Sequence, residues 1–228
     1  MVAFIAARGG SKGVSRKNER DFCGRPLVSW SIIQALSCDL VESVWVSSDD
    51  DSILRIAESS GAKIVKRPLD LASDDASSES AWTHTLDVAN SQGCFPDLIM
   101  LMQCTSPLRE VNDLTRAISI MQEAVYDSML SVSAVEDYFV WKKDDSDNLF
   151  PVNYDYRNRL QRQKIEKKFL ENGSFYICKP DILRAENNRL GGRITHFLMD
   201  RHKMFQIDSE EDFILCEAIM RAFNLDLL

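Results

Sequence analysis

The chain has 228 residues, of which 45% are hydrophobic and 27% charged, and it carries a net charge of −8. That length suits one α/β core, and the ordinary balance of apolar and charged residues excludes a disordered or fibrous architecture. The acidic balance argues against nucleic acid as a partner, which needs a surplus of Lys and Arg on one face, so local basic clusters are read as sites for small anions.

Short apolar runs alternate with longer segments of helical period, the pattern of an α/β fold whose mostly parallel sheet is covered by helices on both faces. The spacing predicts strands over Val2 to Ala7, Ser43 to Ser47, Ala62 to Val65, Leu98 to Met102 and Ser128 to Val135. Helices are expected over Leu27 to Leu36, Asp50 to Ser59, Ser78 to Ala89, Asn112 to Glu123 and Glu210 to Phe223. The first strand follows Met1 directly, with no basic leader and no apolar stretch of bilayer length, so no membrane partner is expected. From about Glu136 to Lys168 the period is lost. Charges gather there (Lys142-Lys-Asp-Asp145, then Arg157, Arg159, Arg162, Lys164, Lys167 and Lys168) among interleaved aromatic residues, which reads as an excursion from the core. Strand signals resume at Ser174 to Cys178 and Ile194 to Met199. Residues 1–228 are expected to form one domain.

The six cysteines are scattered without a CxxC pair, which disfavours a zinc site and a disulfide framework and predicts reduced, mostly buried thiols of a cytoplasmic protein. The three histidines, His84, His196 and His202, sit in no motif and are expected to be structural or exposed.

The segment richest in chemistry is Arg8-Gly-Gly-Ser-Lys-Gly13, with Val14-Ser-Arg-Lys-Asn18 behind it, at the end of the first strand. Glycines let backbone N–H groups turn toward an anion, while Arg8, Lys12 and Lys17 supply charge suited to a polyphosphate. The position fits as well, since open α/β sheets bind ligands beyond the carboxyl ends of their strands. The spacing is neither GxxxxGK[ST] nor GxGxxG. Gly9 to Gly13 does match GxSxG, but a nucleophile elbow needs a helix directly after it, and Val14-Ser-Arg-Lys starts one poorly. A tight turn with solvated cations remains the alternative to a phosphate cradle.

This loop resembles the signature of the acylneuraminate cytidylyltransferases, and further matches follow in order along the chain. They are Val46-Ser-Ser-Asp49, Arg67-Pro-Leu-Asp-Leu-Ala-Ser-Asp74 with Ala76-Ser-Ser78, Gln103-Cys-Thr-Ser-Pro-Leu-Arg109, Glu171-Asn-Gly-Ser-Phe-Tyr176 and Ile207-Asp-Ser-Glu-Glu-Asp212. The resemblance implies a nucleotide-diphospho-sugar transferase-like fold and transfer of CMP from CTP to the anomeric hydroxyl of a nine-carbon 2-keto acid sugar of the sialic acid type, with release of pyrophosphate. It also implies roles for individual residues. Arg8, Lys12 and Lys17 would be catalytic cations on the CTP phosphates, in a loop that includes Gly10 and Ser11. Asn18, Arg67, Ala76 and Ser78 would hold the nucleoside, and Gln103 the acceptor sugar. Arg162 and Gln163 would lie near the sugar carboxylate, with Asn172 and Tyr176 lining the same pocket. Residues 136–168 would reach a second subunit in a homodimer.

Each assignment has a plainer competitor: Arg67 as a surface charge, Gln103 as a polar strand end, Arg162 as part of a solvated segment, and Tyr176 as one residue of an alternating strand. Family members carry Asp-Ile-Asp before the last helix, two carboxylates for Mg²⁺ or Mn²⁺, whereas this chain reads Gln206-Ile-Asp208. Asp208 is thus the expected metal ligand, with a helix cap as its alternative role. Gln206 keeps open a nucleotide-binding module without catalysis. A cytidylyltransferase for another keto-deoxy acid, such as 3-deoxy-octulosonate, is the third reading.

Overall fold

A computed structural model of the chain describes residues 1–10, 13–73, 76–123, 125–135 and 138–227. In chain order the elements are β1 (Val2–Ala6), β2 (Asp21–Phe22), β3 (Arg25–Pro26), α1 (Leu27–Leu36), β4 (Ser43–Ser48), α2 (Asp51–Ser59), β5 (Lys63–Lys66), α3 (Ser78–Ser91), β6 (Ile99–Met102), α4 (Val111–Glu123) and β7 (Ser128–Val135). Then come β8 (Trp141–Lys143), β9 (Leu149–Pro151), β10 (Lys168–Cys178), α5 (Pro180–Ala185), β11 (Ile194–Met199) and α6 (Glu210–Ala222).

Seven strands form one sheet in the order β11-β7-β10-β6-β1-β4-β5. β1 runs parallel to β4 and β6, β5 parallel to β4, and β11 parallel to β7, whereas β10 is antiparallel to both of its neighbours. The two faces of each inner strand are filled by different helices, as a period of two requires. Ala3, Ile5, Val44, Val46, Met100 and Met102 pack under α1, α2 and α4, while Val2, Phe4, Trp45, Ile99 and Leu101 pack under α3 and α5. A third cluster joins α6 to the segment after β1 through Val14, Phe22, Trp30, Ile207 and Phe213, so residues near the two ends of the chain pack together.

The helix boundaries have local causes. Asp50 lies outside α2 and caps it, accepting from the Ser52 N–H at 2.7 Å. Ser77 caps α3 in the same way through Ser80, and α6 opens with a capping box between Ser209 and Asp212. Three features depart from the sequence reading. The expected strand over Ser174 to Cys178 begins at Lys168, with a bulge between Glu171 and Tyr176. The excursion contains a hairpin, β8 paired with β9, whose alternation is hidden among charges. A helix, α5, starts at Pro180, where proline is tolerated because its missing N–H is needed by no partner.

Candidate active site

The carboxyl ends of β1 and β6, the residues after β5 and the start of α3 surround a cleft of about 590 Å³. Its walls bring together Arg8, Lys17, Asn18, Arg67, Ala76, Ser78, Gln103 and Asp208, residues separated by as much as 200 positions in the chain. Lys12 and Ser11, also expected here, lie outside the described residues. Gly10 is exposed and does not line the cleft.

Several contacts hold the basic loop in place. Gly9 donates its N–H to Asp49 Oδ1 at 3.1 Å, and the buried Asn18 donates its amide to the Arg8 carbonyl oxygen at 3.0 Å. Lys17 Nζ donates to the Ile207 carbonyl oxygen at 2.6 Å and to Asp208 Oδ1 at 3.2 Å. Position 13 must be glycine, because a Cβ there would sit 1.8 Å from the Asp208 carbonyl oxygen. The loop and the segment before α6 therefore touch backbone to backbone. Ile207 is tied in turn to the end of β6 by its N–H bond to the Thr105 carbonyl oxygen, 2.8 Å.

Asp208 is not the cap of α6. Ser209 fills that position, and the Asp212 carboxylate accepts from the N–H groups of Asp208 and Ser209. The Asp208 side chain is left 75% exposed at the rim of the cleft. Asp208 is the one carboxylate among the described lining residues, and among the described residues no group of three or more His, Cys, Asp or Glu side chains gathers as a metal site.

Arg67 is buried, with its guanidinium anchored to the Ser47 carbonyl oxygen at 2.9 Å, and its Nε has no hydrogen-bond partner. Burial pulls its pKa below the ordinary value, with Asp49 opposing and Arg8 adding to the shift. A buried cation with an unsatisfied donor on a cleft wall suits an anionic or carbonyl-rich ligand. Cys104 also lines the cleft, but burial pushes its thiol up to about 11, so it is no thiolate nucleophile at neutral pH.

The strand end that carries Gln103 is built around Arg109. This fully buried guanidinium donates to Ser31, Gln34 and Ser174 side chains and to the carbonyl oxygens of Gln103, Ser106 and Ser174. Burial lowers its pKa to about 10, which leaves it charged at neutral pH. Beyond it lies Gly173, at φ 63°, where a Cβ would meet the amides of Gln206 at 2.8 Å and Gln103 at 2.9 Å. The substituted residue Gln206 thus sits beside Gln103.

Besides Gly10, four expected residues do not line this cleft. Asn172 is fully buried, with its side chain bonded to Ser131, Ser133 and the Ser174 N–H at the β10 bulge. Tyr176 lies in the core beneath α3, its hydroxyl donating to Glu171, and burial followed by Glu171 raises its pKa. Arg162 and Gln163 are exposed on a 3-10 turn of the excursion, Arg162–Lys164. Conversely, Ser77, Trp82 and Thr105 line the cleft without having been singled out. Trp82 lies four residues after Ser78, hence on the same face of α3, a spacing the sequence does display.

Comparison with known proteins places the chain in a family. Residues 2–219 match the family model described as Cytidylyltransferase. The chain is 34% identical over 227 residues to N-acylneuraminate cytidylyltransferase A of Danio rerio, covering 98% of this chain but 51% of that protein. It is 28% identical over 225 residues to pseudaminic acid cytidylyltransferase of Campylobacter jejuni, covering 96% of each. The chain therefore spans about half the length of the fish relative and nearly all of the bacterial one. Among solved structures, CMP:2-keto-3-deoxy-manno-octonic acid synthetase complexed with CTP superposes with a TM-score of 0.72 at 16% identity, over 97% of this chain and 98% of that one, a likeness of fold.

Proposed function

The chain belongs to the cytidylyltransferase family, and on that premise we propose that it joins CMP from CTP to the anomeric hydroxyl of a nine-carbon 2-keto acid sugar, releasing pyrophosphate. The observation that carries this reading is the cleft itself. It brings together Arg8, Lys17, the buried Arg67 with its unsatisfied Nε, and Gln103 after the end of β6. The sugar assignment rests on the names of the relatives, which act on N-acylneuraminate or pseudaminic acid.

In this mechanism a bond forms from the C2 hydroxyl oxygen to the α-phosphorus as the bond to the pyrophosphate oxygen breaks, and the hydroxyl proton is given up to solvent water. Catalysis is then mostly positioning and charge stabilisation. Arg8 and Lys17 neutralise charge on the departing pyrophosphate, Lys12 joins them from the same loop, and Arg67 with Ala76 and Ser78 holds the nucleoside. Asp208 would hold Mg²⁺ or Mn²⁺, a hard cation that draws charge from phosphate oxygens. With a neutral amide at Gln206, this chain would offer the cation one charged side chain, that of Asp208, and the nucleotide phosphates would have to supply the rest of the charge.

The excursion supports a homodimer. Phe139 and Tyr154 rings lie 4.2 Å apart with Trp141 5.8 Å from Tyr154, yet Trp141, Leu149 and Phe150 remain exposed. Arg162 and Gln163 ride on this segment and would enter a neighbouring subunit's cleft. The six free cysteines suit the cytoplasm, and among the described residues no helix is long and apolar enough to cross a membrane.

The acceptor is tested by incubating the protein with CTP, Mg²⁺ and a panel of eight- and nine-carbon 2-keto acids while measuring pyrophosphate. Release with nine-carbon acids is expected. Release with eight-carbon acids alone would move the assignment to the 3-deoxy-octulosonate class, and CTP binding with no release from any acid would favour a module without catalysis.

A further inference from the structure

Arg189 lies in the loop between α5 and β11, outside every motif noted in the sequence, and it does not line the cleft. Its side chain is 19% exposed, and its Nε donates to Glu79 Oε1 at 2.7 Å, on the first turn of α3. The guanidinium lies against two aromatic rings, 4.7 Å from the ring centre of Trp82 and 4.8 Å from that of Tyr176. Burial opposes the charge, but Glu79 more than offsets it and raises the pKa. The cation is therefore clamped in position and orientation before any ligand arrives.

The other end of the fork reaches the cleft wall. The Gln103 amide is satisfied when its oxygen faces Arg189 Nη1 at 3.3 Å and its nitrogen faces the Gly173 carbonyl oxygen at 3.2 Å. The reverse orientation would set the amide nitrogen against a guanidinium and its oxygen against a carbonyl. A planar guanidinium anchored by a carboxylate at Nε thus selects one of two nearly isosteric amide states. One N–H and one lone pair of Gln103 are left for a ligand.

We propose that Arg189 is a positioning residue that, anchored by Glu79, sets the direction of the Gln103 amide and thereby the hydrogen-bond pattern offered to the acceptor sugar. The proposal rests on the reading of Gln103 as an acceptor contact. It also assigns new work to Tyr176 and Trp82, whose rings hold the guanidinium in plane. It accounts for Glu79, a carboxylate with 13% side-chain exposure that is paired with Arg189 and does not line the cleft.

The test is a double-mutant cycle with separate KM values for CTP and for the acceptor. Arg189→Lys keeps the charge but loses the fork, and should raise the acceptor KM about tenfold while leaving the CTP KM within about twofold. Glu79→Gln, which leaves Arg189 in place but unanchored, should shift the acceptor KM in the same direction. It carries the test alone if Arg189→Lys fails to give a CTP-induced rise in thermal midpoint, the check that the fold is intact. In a Gln103→Ala background either change should add less than about twofold. An equal effect with and without Gln103, an equal rise in both KM values, or no effect on the acceptor KM overturns the positioning role. If Gln103→Ala alone leaves the acceptor KM unchanged, the reading of Gln103 fails, and Arg189 has nothing to act through.

Discussion

Lys17 and Asp208, 191 residues apart, meet at 3.2 Å across the rim of the cleft, and the same ammonium is bonded at 2.6 Å to the carbonyl oxygen of Ile207. One loop cation is thereby registered against the segment that precedes α6. Both groups belong to the phosphate end of the proposed site. Their pairing explains why Gly13 must approach the Asp208 backbone so closely.

Lys17→Ala should therefore reduce turnover by about two orders of magnitude or more, the scale on which removal of one charge-stabilising donor is felt. The fold should survive, since a partly exposed ion pair contributes only about 0–1 kcal/mol. Steady-state rates together with a thermal melt decide it. Activity within about threefold of the parent, a barrier change of ~0.6 kcal/mol, removes Lys17 from the site.

A carboxylate gives a hard cation both charge and an oxygen, whereas Gln206 can offer only a neutral carbonyl. Gln206→Asp should lower the Mg²⁺ concentration needed for half-maximal rate, and Asp208→Asn should nearly abolish activity. A Mg²⁺ titration of both variants is the check. An unchanged requirement in the first with full activity in the second would remove this segment from metal binding.

Away from the site, Lys203 is 1% exposed and is bonded to Asp113 at 2.8 Å and to Glu110 and Asp200 around it. Burial opposes its charge, but the bonds to Asp113 and Glu110 outweigh that and raise its pKa above the ordinary 10.5. A base whose pKa is raised by folding contributes stability that is present below the unfolded pKa and is lost as pH rises through the folded one. Lys203→Met should cost about 3 kcal/mol at neutral pH, because it strands the buried Asp113 carboxylate. Denaturant melts should show the difference narrowing above pH 10.5. A variant as stable as the parent at pH 7 contradicts the assignment.

Much of this architecture was legible in the residues. The strand over Ser128–Val135 and the helix over Leu27–Leu36 coincide with their predicted spans, because apolar periodicity reports directly on a face that must be buried. The antiparallel setting of β10 was not legible. Its first half, Lys168 to Glu171, is charged and half exposed, and strand direction is a tertiary property that alternation does not encode. The cleft residues found from sequence lie in and behind the glycine-rich loop, after β5 and β6, and at the approaches to α3 and α6, where motif and position coincide. Arg189 was missed because a bend delivers it and its side chain carries no signature outside the fold, whereas Trp82 was legible only through its four-residue spacing from Ser78 on α3. Asn172 and Tyr176 show the converse, since the segment that contains them is distinctive, yet the bulge of β10 turns both inward.

The proposed dimer makes a complementation prediction. If Arg162 serves the cleft of its neighbour, Lys17→Ala and Arg162→Ala chains, each inactive alone, should regain activity when allowed to exchange subunits, because a mixed dimer holds one intact site. Sedimentation velocity should show a dimer that Trp141→Glu with Phe150→Glu disrupts. A monomeric parent, or exchange of dimers without recovery of activity, contradicts the shared site.

The central claim is transfer of the cytidylyl group, and the most direct measurement follows the phosphorus atoms. CTP labelled at the α-phosphorus is incubated with the protein, Mg²⁺ and a nine-carbon 2-keto acid sugar, with labelled ATP, GTP and UTP in parallel. Label from CTP should appear in a sugar conjugate in equal amount to the pyrophosphate released, with little transfer from the other three nucleotides. Label that remains in CTP, passes only to free CMP, or transfers equally from all four nucleotides would contradict it.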